Sequence, residues 1–409
     1  MKLPVSKSRQ LAMAHWSPAA SEKFVSVQNG RFSLHGRPHH FVGANLWCAA
    51  YLGSKGQWGN RERLKRELDR LMDLGVSNVR ILSASEDSPL KSAVRPAFHD
   101  AERRWDDELL QGLDFVLSEL SARGLRAVLY LTNFWEWSGG MMTYLSWTNG
   151  GHYLDMDDSA DPWRAFADFA AQFYDAEAAV QLYQETVRRL VERTNSITGQ
   201  PYKDDPTIFA WQLCNEPRPG ASDLVVDKSA GPYLRWIKET AQLIKALDPQ
   251  HLVSTGSEGL VGSIGRAQDY LRAHDVPDID YLTAHIWPQN WGWVTPHDLS
   301  GSFAHAEEKT LEYLAVHRDF AQRLGRPLVI EEFGFPRDAG QFDPAASTAF
   351  RDRFYSVVYR AISDDVHSGG PLSGSNFWAW GGEGRARHSD HRLRPGENEY
   401  LGDPPHEPQ

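Results

Sequence analysis

The sequence predicts an α/β protein whose strands close into a (β/α)8 TIM barrel, one domain with extended loops at the carboxyl ends of its strands. Short apolar runs rich in β-branched and aromatic residues recur along the 409 residues, separated by longer amphipathic stretches. That is the rhythm of parallel strands joined by helices. Eight such runs occur. Most close on a polar or tryptophan residue, as strands do when their carboxyl ends surround a working mouth. Rhythm alone also permits a doubly wound open sheet.

In chain order the runs are FVGANLW (41–47), VSNVRIL (76–82), LRAVLYLTN (125–133), IFAWQLCN (208–215), HLVST (251–255), YLTAHIW (281–287), RPLVIEEFG (326–334) and SNFWAW (375–380). The clearest helix between them spans Ala176 to Thr194, where Val180, Tyr183, Val187, Leu190 and Val191 recur at three- and four-residue spacing,. Asp175 stands at its N-cap position,. The stretch from Met141 to Phe173 exceeds an ordinary connection and reads as a functional loop or lid,. Within it DMDDSAD lacks the Gly and the terminal Glu of a calcium loop, so it reads as a solvated acidic turn,. The Gly-, Pro- and His-rich stretch from Gly381 to Gln409 reads as loop,.

Composition narrows the partners. The formal charge is −11, which repels phosphate backbones and anionic lipid heads, and no apolar run is long enough to span a bilayer,. Nucleic acid and membrane insertion are excluded as expectations. Fifteen Trp and an aromatic content of 11% supply flat apolar platforms that suit a neutral ring such as a sugar,. Two cysteines, Cys48 and Cys214, give no disulfide framework and no Cys-rich metal site,. The N-terminus carries positive charge without an h-region, so no intact signal peptide is read there,.

The residues closing the runs are those that carry chemistry: Asn45 and Trp47, Arg80, Asn133 and Trp135, Asn215 and Glu216, Glu258, His285 and Trp287, Glu332 and Trp378. A carboxyl at the end of a buried strand is costly unless paired, hydrogen-bonded or kept protonated, and a carboxyl protonated near neutral pH is a good general acid. Glu216 has that placement, with Pro217 stopping the strand and Arg218 as an ordinary pairing partner. PLVIEEFG repeats the pattern with Glu331 and Glu332. Strand alternation lets only one of these two point into the mouth. Two glutamates facing each other across a barrel mouth form the arrangement that glycoside hydrolysis needs.

DDPTIFAWQLCNEPR and VIEEFG closely resemble the acid/base and nucleophile motifs of glycoside hydrolase family 5. LTNFWEWSGG, TNSITGQPYKDDPTIFAWQLCNEPR and HIWPQNW resemble the β-mannanase branch of that family. The resemblance covers Phe24 to Gly402, leaving residues 1–23 as an N-terminal extension and 403–409 as a tail. It implies a retaining, two-step mechanism with Glu216 as acid/base and Glu332 as nucleophile, their carboxyls about 5 to 5.5 Å apart. Arg80 resembles the family arginine that keeps the nucleophile ionised, with a structural pairing to Asp114 as the alternative. Asn215 resembles the residue that binds the sugar 2-hydroxyl, and His285 matches the family histidine on strand six. Trp135 and Trp378 resemble sugar-stacking platforms, with Trp380 competing for the second role. Trp287 stands where the family usually has a tyrosine, and an indole can donate a hydrogen bond but cannot accept one.

The resemblance implies hydrolysis of β-1,4-mannosidic bonds in mannan or manno-oligosaccharides, with endo cleavage preferred. Long loops walling off the cleft would make it an exo-acting β-mannosidase; a β-glucanase and a non-catalytic sugar-binding barrel are the remaining alternatives. No cofactor and no metal is expected, because His285 has no companion at ligand spacing,. A monomer is expected, and family habit implies a secreted or periplasmic protein.

Overall fold

The computed structural model describes residues 23–394, except 57, 159–161, 387 and 393. The described chain opens with an antiparallel sheet that the expectations above omit: β1 (Ser26–Gln28), β2 (Arg31–Leu34) and β3 (Arg37–Pro38). Its signal is present in the sequence as Asn29-Gly30 and His35-Gly36. Both residues of each pair have positive φ, between 52° and 72°, the requirement of a tight two-residue hairpin turn,. Phe32 of β2 packs against Phe41, Phe209 and Tyr281 at ring distances of 6.4, 5.1 and 5.4 Å. These partners lie at the amino ends of barrel strands, so the small sheet plugs the floor of the barrel.

The barrel strands are β4 (Phe41–Asn45), β5 (Asn78–Leu82), β6 (Arg126–Tyr130), β7 (Ile208–Gln212), β8 (Leu252–Ser254), β9 (Leu282–Ile286), β10 (Leu328–Phe333) and β11 (Leu372–Phe377). They pair in parallel in the order β8-β7-β6-β5-β4-β11-β10-β9. Between β8 and β9 the seam is drawn together by bonds that include Asp280 N–H to Val253 O (2.8 Å), Thr283 Oγ1 to Ser257 O (2.7 Å) and His285 N–H to Glu258 O (2.9 Å). The eight parallel strands thus form a nearly closed (β/α)8 barrel. The last strand begins three residues earlier than the apolar run suggests. Ser373 and Gly374 hide its start, and a Cβ at Gly374 would lie 2.4 Å from the Phe41 ring, so the floor of the core leaves no room for a side chain there.

The helices are α1 (Ala49–Gly53), α2 (Arg61–Asp73), α3 (Asp107–Arg123), α4 (Gly140–Thr148), α5 (Pro162–Ala170), α6 (Glu177–Val191), α7 (Asp223–Leu247), α8 (Ala267–His274), α9 (Leu299–Leu324) and α10 (Ala349–Ser368). Asn60, Asp106 and Asp298 cap α2, α3 and α9 by accepting from the N–H three residues on,. Asp175 does not cap α6. It closes a 3-10 turn, Ala176 takes the N-cap position without a side-chain bond, and Asp175 pairs with Arg235 at 3.1 Å.

The stretch from Met141 to Phe173 is not a loop. It is α4, α5 and two 3-10 turns, and Met141, Met142, Tyr144, Phe166 and Phe173 join the main core. Enough apolar surface lies along it to fix it to the barrel. Its acidic turn docks on the segment after β5: Asp155 accepts from Lys91 N–H (3.1 Å), and Asp158 pairs with the Lys91 ammonium. Ser159, Ala160 and Asp161 of that turn, and residues 395–409 of the C-terminal stretch, lie outside the described residues. The described residues between Gly381 and Arg394 carry no helix or strand, as read from composition. No described helix is long and apolar enough to cross a membrane.

Two buried Tyr-x-x-x-His pairs brace the β8 side. His274 and His317 each place Nδ1 against the carbonyl four residues earlier (2.8 and 2.7 Å), and His317 Nε2 accepts from Leu260 N–H at 2.9 Å. Burial lowers the two imidazoles from 6.5 to about 3 and about 4. Between those values and 6.5 the unfolded chain binds protons that the folded chain does not, so stability rises with pH across that window. Acidification from pH 7 to 4.5 is therefore expected to lower the unfolding free energy, with on the order of 2 kcal/mol from His317. Urea titrations of the wild type and of His317→Gln at the two pH values check this: the variant should lose less between them.

Candidate active site

Arg80 projects from the middle of β5 into the barrel, where it is fully buried. A buried guanidinium must find acceptors for its N–H groups. Its Nε donates to Gln212 Oε1 (2.8 Å), Nη1 to Asn45 Oδ1 (3.0 Å) and to Glu332 Oε1, and Nη2 to Asn215 Oδ1 (2.7 Å). The Tyr130 ring lies 4.6 Å from the guanidinium carbon. Asp114, the alternative partner, is held instead by Arg193 (2.6 Å), Ser196 and Tyr202.

Glu331 and Glu332 both point inward, against the expectation from alternation. In the ladder to β9, Ile330 faces Ala284 while Glu332 faces His285, so Glu331 is an extra residue on β10. A bulge of this kind re-aims a side chain. Glu331 lies 3.6 Å from Arg80 Nε and accepts from Tyr281 OH (3.0 Å) and from the Gln212 amide. Burial pushes its carboxyl up. Of the two carboxyls, Glu332 takes the closer contact with the guanidinium, and a cation so near favours a carboxylate.

Glu216 reaches the mouth through its backbone. Asn215 N–H bonds to Thr132 O (2.8 Å), Glu216 N–H bonds to Gly256 O (2.9 Å), and Glu216 turns into the left-handed region with φ 51°. A non-glycine residue there, directly before Pro217, costs of order 1 kcal/mol or more. The turn aims the carboxyl at two donors: Trp135 Nε1 at 2.5 Å from Oε2 and His285 Nδ1 at 2.6 Å from Oε1. Arg218 is not its partner, because the Arg218 fork closes on Glu258 at 2.6 to 2.9 Å.

His285 Nδ1 also lies 3.3 Å from Glu332 Oε2, so it stands between the two carboxyls. Burial, and next the positive Arg80, lower its basicity well below the usual value, so the imidazole is neutral and Nδ1–H is the donor to both,. One carboxyl oxygen of Glu216, one of Glu332 and a ring nitrogen of His285 all lie within 4.8 Å of one another. That spacing fits the short carboxyl separation of a double displacement. The three atoms could also offer a cation three ligands, yet the Arg80 guanidinium already occupies Glu332 and disfavours a second positive charge.

The tryptophans sort into two groups. Trp287, Trp378, Trp137 and Trp47 form an arc of edge-to-face contacts, with successive ring distances of 6.1, 6.2 and 5.5 Å. Trp380 lies apart, its Nε1 donating to Glu67 at 2.9 Å, which leaves Trp378 as the member at the mouth. Trp135 joins the site by its hydrogen bond to Glu216 while its ring is flanked by Phe166 and by the Arg218 guanidinium.

Sequence reasoning misses Gln212 and the inward placement of Glu331, whereas Asn133 stands there among the strand-closing residues. Gln212 is the one polar residue among the five buried positions of β7, a usable signal. Glu331 needed the bulge, which leaves no trace in residue types. Asn133 gains its place by accepting from Asn215 Nδ2 (3.1 Å) across a bridge between the extended strands.

Comparison with known proteins identifies the family. Residues 22–409 match the family described as GH family 5 beta-mannosidase-like. The chain is 32% identical over 372 residues to putative mannan endo-1,4-beta-mannosidase 9 of Oryza sativa subsp. japonica, covering 88% of this chain and 82% of that one. The crystal structure of a glycoside hydrolase family 5 mannosidase from Rhizomucor miehei superposes with a TM-score of 0.84 at 33% identity, covering 95% of this chain and 92% of that one. A mutant of the same fungal enzyme in complex with mannosyl-fructose superposes at 0.85 with the same identity and coverage.

Removing the guanidinium would strand two buried carboxyls. Arg80→Met, close in length and uncharged, is expected to lower the unfolding free energy by about 3 to 5 kcal/mol, read from urea denaturation at pH 7. A loss under about 1 kcal/mol would show that Glu331 and Glu332 do not depend on it.

Proposed function

Because the chain belongs to glycoside hydrolase family 5, in its β-mannosidase-like group, we propose that it cleaves β-mannosidic bonds with retention, using Glu332 as nucleophile and Glu216 as acid/base. One observation carries the assignment: the two carboxyls converge on a single histidine while a buried guanidinium sits against only one of them. That asymmetry gives two chemically similar groups different roles. Beside Arg80, Glu332 stays anionic and attacks the anomeric carbon. Glu216 gives its proton to the glycosidic oxygen, the bond to the leaving sugar breaks, and a mannosyl ester of Glu332 remains. Water then enters, Glu216 takes its proton, the new oxygen bonds to the anomeric carbon and Glu332 is released.

Around this exchange the remaining residues position and stabilise. Asn215, fixed through Oδ1 by Arg80 and through Nδ2 by Asn133, presents an amide for the 2-hydroxyl, a contact that tightens as positive charge develops on the ring,. Trp378 and Trp287 supply apolar surface beside the sugar.

A second reading, action at a chain end, is favoured by the wall beside β5 and β6. The segment after β5 is bonded to the α4–α5 insertion through Lys91 to Asp155 and Thr143 to Ser88, and to the turn before α4 through Val94 N–H to Trp137 O. Glu216 and Glu332 are only 8% and 3% exposed behind it. Such burial suits a pit better than an open groove. The likeness to the fungal mannosidase supports the same reading.

Glu332→Ala and Glu216→Ala should each lose turnover on mannotriose by at least about a thousandfold. On dinitrophenyl β-mannoside, whose leaving group departs without a proton, azide should restore product in both, as α-mannosyl azide from the first and β-mannosyl azide from the second; the reverse pattern would exchange the two roles. With mannohexaose, single mannose units from the start indicate chain-end action, whereas mannobiose and mannotriose as first products indicate internal cleavage.

A further inference from the structure

Glu86 is a fully buried carboxyl in the segment after β5, outside the set of residues assigned above. No cation pairs with it among the described residues, and burial pushes its carboxyl up to about 7. A group so costly to bury calls for a structural return. Its neighbours are donors. Thr132 Oγ1 donates to Oε1 at 2.9 Å and Gly140 N–H donates to Oε2 at 2.7 Å. The Glu86 backbone N–H bonds to Ser138 O at 3.0 Å.

These contacts grip both ends of one turn, residues 132 to 140. The turn is pressed so closely on Glu86 that a Cβ at Gly139, where φ is 93°, would lie 2.5 Å from the Glu86 carbonyl oxygen. Between the gripped ends lie Asn133 and Trp135. Asn133 Oδ1 accepts from Trp135 N–H (3.1 Å) and from Asn215 Nδ2 (3.1 Å), and Trp135 Nε1 donates to Glu216 Oε2. The path from Glu86 to Glu216 runs through hydrogen bonds and the covalent backbone of a single turn.

We propose that Glu86 is a positioning residue for proton transfer, holding the 132–140 turn so that the Trp135 indole fixes the carboxyl of Glu216 toward the leaving group. The inference rests on the acid/base role proposed for Glu216. It predicts a selective defect. Loosening Trp135 leaves Glu332 and Arg80 in place, so attack on a sugar bearing a good leaving group proceeds, while a leaving group that needs the proton departs slowly. Loss of fold or of sugar binding would slow both alike.

The test compares kcat/KM for dinitrophenyl and phenyl β-mannosides, which differ in leaving-group acidity but share an aryl ring. Glu86→Ala should lose about tenfold or more on the phenyl substrate and less than about threefold on the dinitrophenyl one. Glu86→Gln keeps an oxygen for Gly140 N–H, and the Thr132 hydroxyl can turn to accept, so it should restore most of the phenyl activity. Trp135→Phe, which keeps a ring and removes the donor, should reproduce the selective loss, and it decides the matter should Glu86→Ala fail to fold. Equal losses on both substrates, or no loss in Trp135→Phe, overturn the proposal. Glu216→Ala serves as the reference: if it too loses both substrates equally, the acid/base assignment is what has failed.

Discussion

The buried guanidinium of Arg80 is the interaction on which the upper barrel depends. It binds side chains from β4, β7 and β10 and the extension of β7, so one residue sets the relative heights of four segments around the axis. A lysine could not do this, because an ammonium is a compact point charge without the planar fork that reaches several acceptors at fixed angles. In the proposed mechanism the same charge also divides the labour between two glutamates. A barrel interior of low dielectric makes that single proximity decisive, where in water it would count for little.

Two backbone departures from regular structure bring the carboxyls within reach. The bulge on β10 admits Glu331 to the interior beneath Glu332, where Tyr281 and Gln212 satisfy it. The left-handed turn at Glu216 swings its side chain over the mouth instead of continuing the strand. Each departure costs free energy locally and is held by long-range hydrogen bonds, to Gly256 in one case and to the Arg80 network in the other. Strain concentrated in this way marks where the fold has been bent to serve chemistry.

The α4–α5 insertion shows how a wall is added to a barrel without disturbing it. Its apolar residues enter the main core through Tyr144, Phe166 and Phe173, while its polar contacts join it to the segment after β5. Trp135 and Arg218 lie at its inner edge, so the insertion borders the proposed proton donor as well as enclosing the cleft.

By itself the sequence determined the eight-strand rhythm, the strand ends that carry Arg80, Asn215, Glu216, His285 and Glu332, and, through its motifs in order, the family. Those features are local: apolar runs, their spacing and the residue that closes each are set by neighbours along the chain. The hairpin of residues 26–38 was equally local, signalled by Asn29-Gly30. Only the tertiary structure decided that Glu331 and Glu332 both face inward, that Arg80 chooses Glu332 over Asp114, that Arg218 closes on Glu258, and that Trp135 serves Glu216 through its N–H. Partner choice among buried polar groups is fixed by distances between segments tens to hundreds of residues apart. A one-residue slip in register reverses the facing of a side chain without changing any residue type.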